Sequence, residues 1–378
     1  MWASLSADAL GLGKGGIVVF RDGFVGDFHG KKGCGGTEMT KQRRIYLSIN
    51  DGVVKGAICA LSLLAATSVA QAGSISANTG TYAGDVSALN FPVGTVAISN
   101  YTAYRHGDKF IDSEGVEVPD SSLDLYTNIV RVDWLAAKIY DMPLAISAAL
   151  PYGYFDDVEV GGRDVSAQSS FFSPNVFLTL GVVVDPQNER TLALTNYVFL
   201  PMGGYDSTKE ANIATPDQWV IVPQIMYEEG LGKFSPALQN FWIDVFGGVA
   251  FHGDGQNPVT QSGVGFAKTE QENSYDINFY LRYNWNPLTF VAIGIEKSWG
   301  GEQIATGGVL AEYNGGNLSL GKDEFLKGHL QFAFPLSETF QIASDITHDF
   351  EREGGFKENF TAELRLTKIL LPESEPLK

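Results

Sequence analysis

Residues 274–285 alternate without a break between apolar and polar side chains. Tyr275, Ile277, Phe279, Leu281, Tyr283 and Trp285 fall on one face of an extended chain; Ser274, Asp276, Asn278, Tyr280, Arg282 and Asn284 fall on the other. A period of two marks a strand with two unlike faces. The apolar face begins and ends on aromatics, as the two interfacial girdles of a membrane barrel demand. The pattern recurs. Val130, Val132 and Trp134 oppose Arg131 and Asp133; Leu330, Phe332 and Phe334 oppose Lys327, His329 and Gln331. Ile342 and Ile346 oppose Asp345, Ala362 and Leu364 oppose Glu363 and Arg365, and Ile243, Val245 and Phe251 oppose Asp244 and His252.

The joins between such segments fall into two kinds. Tight ones stand at 185–189, 286–287 and 335–337; long ones at 107–121, 154–168, 201–216, 253–273, 301–324 and 349–357. Regular alternation of short and long joins puts every long loop at one end, as in a transmembrane barrel with short periplasmic turns. Weaker segments at 93–105, 143–153, 169–184, 190–200, 217–229 and 288–300 bring the expectation to about twelve strands. The fold class expected is an all-β, transmembrane antiparallel β-barrel. A soluble sandwich is the alternative, but opposite charges on one face and aromatics capping the other count against it.

The start of the chain reads differently. Lys41, Arg43, Arg44 and Lys55 precede the apolar run 56–69, and Ala70-Gln71-Ala72 precedes Gly73. Positive region, short apolar core and small-residue cleavage site make a secretory signal peptide. Met39 is its natural start, so 39–72 is expected to be the signal peptide and 1–38 an upstream extension of the reading frame. Residues 92–371 then form the barrel and 372–378 a polar tail. Between them, 73–91 either enters the lumen as a plug or lies in the periplasm. Trimming at Gly73 removes both cysteines, Cys34 and Cys59, and leaves 18 basic against 39 acidic residues, a balance of −21. That charge argues against nucleic acid as a partner. No apolar run reaches the length of a spanning helix. The long loops carry much of the acid, which suits solubility or cation-bridged contact with lipopolysaccharide.

At this point the chain resembles a known family. Asn90-Phe91-Pro92-Val93-Gly94, then Asn100-Tyr101-Thr102-Ala103-Tyr104, and Leu200-Pro201-Met202-Gly203-Gly204-Tyr205-Asp206 with Trp219 and Pro223, are similar to motifs of the family named for the meta-pathway of phenol degradation. The resemblance covers most of 90–300 and implies an outer-membrane transporter barrel of a Gram-negative bacterium. Its partners would be outer-membrane lipid, the barrel-assembly machinery and a small hydrophobic or aromatic solute. The last strand departs from the usual aromatic ending, running instead into Leu370-Leu371-Pro372.

Alternation predicts a lumen lined by Arg131, Asp133, Asp244, Asp276, Arg282, Glu296, Lys327, His329, Asp345, Glu363 and Arg365, with His252 at one end. Charges of both signs in a narrow barrel either mark a polar path or pair and fill it. Phe155, Phe171, Phe172, Tyr205 and Phe266 are candidates for an apolar binding site at the loop mouth; packing of the loops is the plain alternative. No cofactor, metal site or catalytic residue is expected. The histidines lack ligand spacing, and Gly11-Leu12-Gly13-Lys14-Gly15-Gly16 lacks the hydroxyl residue of a phosphate loop. The readings carried forward are passive uptake of small hydrophobic or aromatic compounds, a closed structural or surface-interaction barrel, and an outer-membrane lipid hydrolase. For the last, Ser344 and His348 share a face but stand about 13 Å apart along an extended strand.

Overall fold

The structure is a computed structural model that describes residues 82–112, 114–206, 209, 211–214, 218–256, 268–286, 288–306 and 317–372. Twelve long strands form its wall: β1 Val96–Gly107, β2 Ser122–Ile139, β3 Met142–Glu159, β4 Asn175–Asp185, β5 Arg190–Phe199 and β6 Val220–Gly230. They continue as β7 Phe241–His252, β8 Ser274–Asn286, β9 Thr289–Trp299, β10 Glu324–Ser337, β11 Phe340–Glu353 and β12 Phe360–Leu370. Each pairs antiparallel with the next, and β1 pairs with both β2 and β12. The sheet therefore closes, and closure satisfies the backbone groups that lipid cannot.

Alternation fixes which face is which. On β8, Ser274, Asp276, Asn278, Tyr280 and Arg282 are buried, while Tyr275, Ile277 and Phe279 are exposed on the outer wall. Val132 and Trp134, Ile293 and Ile295, Phe332 and Phe334, and Ile346 and Leu364 are exposed in the same way. Large apolar side chains outside and buried charges inside invert a soluble protein, and suit a lipid-facing band around a polar interior.

The tight joins lie at one end: Tyr140 and Asp141, 186–189, the join holding Leu288 and 338–339, with two short 3-10 turns, Leu231–Lys233 and Pro236–Leu238, between β6 and β7. Tyr140 and Asp141 both have positive φ, 50° and 67°, as the two centre positions of a type I′ hairpin turn require. The long joins lie at the other end and carry small sheets of their own. Lys109–Ile111 pairs with Glu117–Val118 and Gly355–Lys357, beside an apolar cluster of Phe110, Leu123, Leu125, Val158, Ile213 and Phe356.

Several bounds differ from those read in the sequence. Residues 154–159 and 349–353, expected in the long joins, continue β3 and β11. Ser122 pairs with Glu159, with a bulge at Asp124 and Leu125, and Glu324 pairs with Glu353. Beyond the lipid band a strand edge no longer needs apolar side chains, so acidity ceases to mark its end. At Pro223 the register between β6 and β7 skips Val222 and Pro223, as expected where proline removes a donor from the ladder.

Ahead of β1, Tyr82–Asn90 lies inside the barrel, with a 3-10 helix at Asp85–Asn90. Tyr82, Ala83, Val86 and Leu89 are buried against Tyr101, Leu135, Met226, Phe246, Tyr280 and Phe290 of the wall. Gly294 opposes Tyr280 in the β8–β9 register, and a Cβ there would stand 2.2 Å from the Tyr280 ring. Only glycine lets that ring lie flat in the packed interior.

Candidate functional site

The inner face carries charge at alternate positions, and the barrel is narrow enough for charges on different strands to meet. All eleven predicted lumen residues face inward and each has a named partner or neighbour. Arg282 grips Asp244 with two nitrogens, at 2.9 and 3.0 Å, and lies 3.5 Å from Glu228. A two-pronged guanidinium–carboxylate contact is the strongest common geometry for such a pair. The guanidinium also packs over the Trp242 and Phe290 rings, at 5.0 and 5.5 Å. With Arg282 and both acids almost fully buried, truncating the arginine would leave two carboxylates unpaired, at a cost of about 3–5 kcal/mol.

The N-terminal segment is tied into this lattice. Glu228 accepts from the Val86 amide at 2.9 Å and the Ser87 hydroxyl at 2.5 Å. Asp85 accepts from Arg365 at 2.5 Å and lies 4.0 Å from Arg131, which itself donates to Asp133 at 2.9 Å. Tyr82 donates to Glu363 at 2.6 Å, beneath the Arg365 guanidinium at 4.2 Å, and the Ala83 amide donates to Gln331 at 3.0 Å. Gly84 has φ 82°, and a Cβ there would stand 2.9 Å from Arg282. His329 bridges Asp345 at 2.9 Å and Glu296 at 3.1 Å. Asp276 accepts from Asn278 at 2.8 Å.

A second charged level lies at the long-loop rim. Lys327 contacts Glu358 at 2.9 Å and Asp349 at 3.6 Å; Arg352 contacts Asp323 at 2.6 Å and Asp349 at 3.3 Å; Arg105 contacts Glu358 at 3.3 Å. Burial pushes the Glu358 carboxyl up, but Lys327, Arg105 and Arg352 outweigh it and hold it well below its ordinary value. Burial carries Asp323 the other way, up to about 6 despite Arg352.

Between the N-terminal segment and the wall, towards the short-turn end, lies a cavity of about 620 Å³. Leu89, Phe91, Leu135, Phe177, Met226 and Phe290 supply apolar lining, with Ala145 and Trp242 beside them. Polar side chains line it in about equal number, among them Ser99, Asp133, Ser147, Thr179, Asn284 and Thr367, with Arg131, Arg282 and Arg365 beside them. A concave space whose apolar surface exceeds its polar surface suits a small organic molecule.

The loop-mouth aromatics are not gathered into one pocket. Phe155 and Phe172 pack against the apolar cluster under the loops. Phe171 is exposed and meets Tyr152 edge-on at 5.3 Å on the outer wall. Tyr205 stands in the join after β5, just past Gly203 and Gly204, whose backbone meets that of Phe172 and Phe171, and Phe266 falls outside the described residues. Adjacent residues on an extended chain point to opposite sides, which separates Phe171 from Phe172. The hydrolase candidates do not meet either: His348 bonds to the Asn359 carbonyl at 2.6 Å. The serine–histidine contact present is His252 to Ser274, 3.0 Å, where the other ring nitrogen finds no partner among the described residues. Among the described residues no acid orients that ring.

Sequence reading missed Glu228, Asp323, Asp349, Arg352 and Glu358, although Glu228 lies on the buried alternation Val220, Val222, Gln224, Met226. Asp85 and Tyr82 gave no signal, because they precede the first periodic segment.

The family model described as "Putative MetA-pathway of phenol degradation" matches residues 107–361, about two thirds of the chain. No curated protein matches. Among solved structures, an outer membrane channel from Pseudomonas putida F1 is 22% identical with a TM-score of 0.63, over 77% of this chain and 100% of that one. A deletion mutant of the TodX monoaromatic hydrocarbon channel (9% identity, TM-score 0.41) covers 75% of this chain and 91% of its own. The translocator domain of the autotransporter NalP from Neisseria meningitidis (9%, 0.42) covers 84% and 97%. The likeness to the Pseudomonas channel concerns the fold alone.

Proposed function

We propose that this chain, which belongs to the family described by that model, is a passive outer-membrane channel for small hydrophobic or aromatic compounds. The observation that carries the reading is the cavity beside the N-terminal segment, whose surface is more apolar than polar. A closed structural barrel has no need of such a space, since interiors pack to high density. The family name and the Pseudomonas channel agree with the reading, but the cavity is what gives a solute somewhere to stay. Solute moves down its gradient through the space between the wall and the N-terminal segment.

The arginines in this scheme position the segment. Arg282, through Glu228, and Arg365, through Asp85, hold it inside the lumen. Phe177, Met226 and Leu135 line the space beside it. The test is uptake of a radiolabelled small aromatic by cells expressing the protein, against cells without it. Faster entry with the protein supports the channel; equal entry leaves the second reading, a structural or surface-interaction barrel. That reading draws on the paired charges and the apolar cluster closing the long-loop end.

Export belongs to the same proposal. The charged start, the apolar run 56–69 and Ala70-Gln71-Ala72 support cleavage before Gly73. N-terminal sequencing of membrane-extracted protein should read from Gly73, and a peptide from residues 1–38 in that material would contradict it. Lipopolysaccharide around the acidic loops and the barrel-assembly machinery are the partners proposed.

A further inference from the structure

Between the paired charges near the N-terminal segment and those at the long-loop rim lies a level where acids outnumber bases. Its members come from five consecutive strands: Asp276 on β8, Glu296 on β9, His329 on β10, Asp345 on β11 and Glu363 on β12. Asp345 and Glu363 stand directly opposite in the β11–β12 register. Side chains at such positions point the same way at close range, and like charges there repel. Glu296 pairs in register with Asn278, one inward position from Asp276.

The surrounding protein compensates this charge only in part. His329 and Gln331 both contact the same Asp345 oxygen, Oδ2, at 2.9 and 3.0 Å. Tyr82 serves Glu363. Asp345 Oδ1 and Asp276 Oδ1 are buried and find no hydrogen-bond partner among the described residues. Asp276 is 4% exposed and Asp345 8%. The nearby cations are engaged elsewhere: Arg282 with Asp244, Arg131 with Asp133, Arg365 with Asp85 and Lys327 with Glu358. A buried carboxylate oxygen without a donor is costly; His329 is the cation that pairs on this level, and among the described residues both Oδ1 atoms stay open to a further positive group.

We propose that this belt is a site for a small monovalent cation and makes the ionic current through the barrel cation-selective, with Asp276 and Asp345 determining the selectivity. A monovalent ion fits better than a divalent one. Among the described residues no three carboxylates or histidines converge with the geometry of a metal centre. A permeation site also has to release its ion, so weak coordination by two or three oxygens is what conduction requires. The proposal does not depend on aromatic uptake, because an ion and an apolar solute need not share a path.

The test is the reversal potential of the purified protein in planar bilayers under a KCl gradient, which gives the permeability ratio of potassium to chloride. The wild type should favour potassium several-fold. Asp276→Asn and Asp345→Asn should each lower the ratio about twofold or more, by removing a site charge. Glu114→Gln, in an external loop, should leave it unchanged. Heat-modifiable migration on gels verifies that each variant is folded. A wild-type ratio near one, or no ionic current at all, overturns the proposal without any variant. A selective wild type whose ratio survives both substitutions overturns the assignment to this belt.

Discussion

Phe279 and Asn278 are neighbours in sequence and opposites in surroundings. Phe279 is 44% exposed on the outer wall, while Asn278 is 3% exposed and donates to Asp276. Arginine at Phe279 places a charge in lipid and is expected to cost about 2–4 kcal/mol near the midplane. Arginine at Asn278 meets the carboxylates of Asp276 and Glu296 and should cost less. Urea titration of the two variants folded into vesicles measures both; equal losses would contradict the assignment of β8 to the membrane. Residues of this kind were legible from sequence, because a strict period of two decides inward from outward without reference to any other strand. Partner choice was not legible. That Arg282 meets Asp244 and Glu228 depends on strand order and register, which no single segment contains.

Among the elements, the strands and the N-terminal segment differ in how much of their structure is local. Six of the twelve strands were legible from their own alternation, and the other six as weaker segments set between them. Tyr82–Asn90 has no period to read. Its conformation is set by Gln331, Glu228, Glu363 and Arg365, which lie 141 or more residues away in the chain. The sequence therefore left two positions open for it, and only contacts made after barrel closure distinguish them. Gly84 is its weakest point. A valine there must adopt φ near 82° and meet Arg282 at once. Gly84→Val is expected to unseat the segment and raise single-channel conductance while the barrel still inserts. An unchanged conductance would mean that this segment does not limit the pore.

On the scale of the whole molecule, the long-loop end of the barrel carries a cover and the cavity lies towards the short-turn end. The loop cover was only half legible. Acidic, glycine-containing joins read as solvated loops, yet Phe110, Val158, Ile213 and Phe356 from four separate stretches build a small apolar core there. The rim charges beneath it give the cover a pH dependence. Glu358, held below its ordinary value of 4.5, contributes stability above that pH and loses it as pH falls further. Asp323, raised to about 6, works in the opposite sense: its ionisation costs stability as pH rises through that value. The rim should be tightest between about pH 4.5 and 6. Hydrogen exchange of 323–327 and 352–358, corrected for intrinsic rates, should show more protection at pH 5.5 than at pH 8, and the reverse order would contradict this balance.

The cavity is the centre of the account, and filling it is the most direct way to probe it. Ala145 lines that space from β3 without entering any ion pair. Ala145→Phe should occupy part of it, at an overpacking cost of about 1–3 kcal/mol that the barrel can bear. The measurement is the initial rate at which a labelled small aromatic enters proteoliposomes containing equal amounts of folded wild type or Ala145→Phe, against protein-free vesicles. The account predicts accelerated entry with the wild type and a rate near that of empty vesicles with the filled cavity. Entry no faster with the wild type than with no protein, or equally fast with the cavity filled, would contradict it.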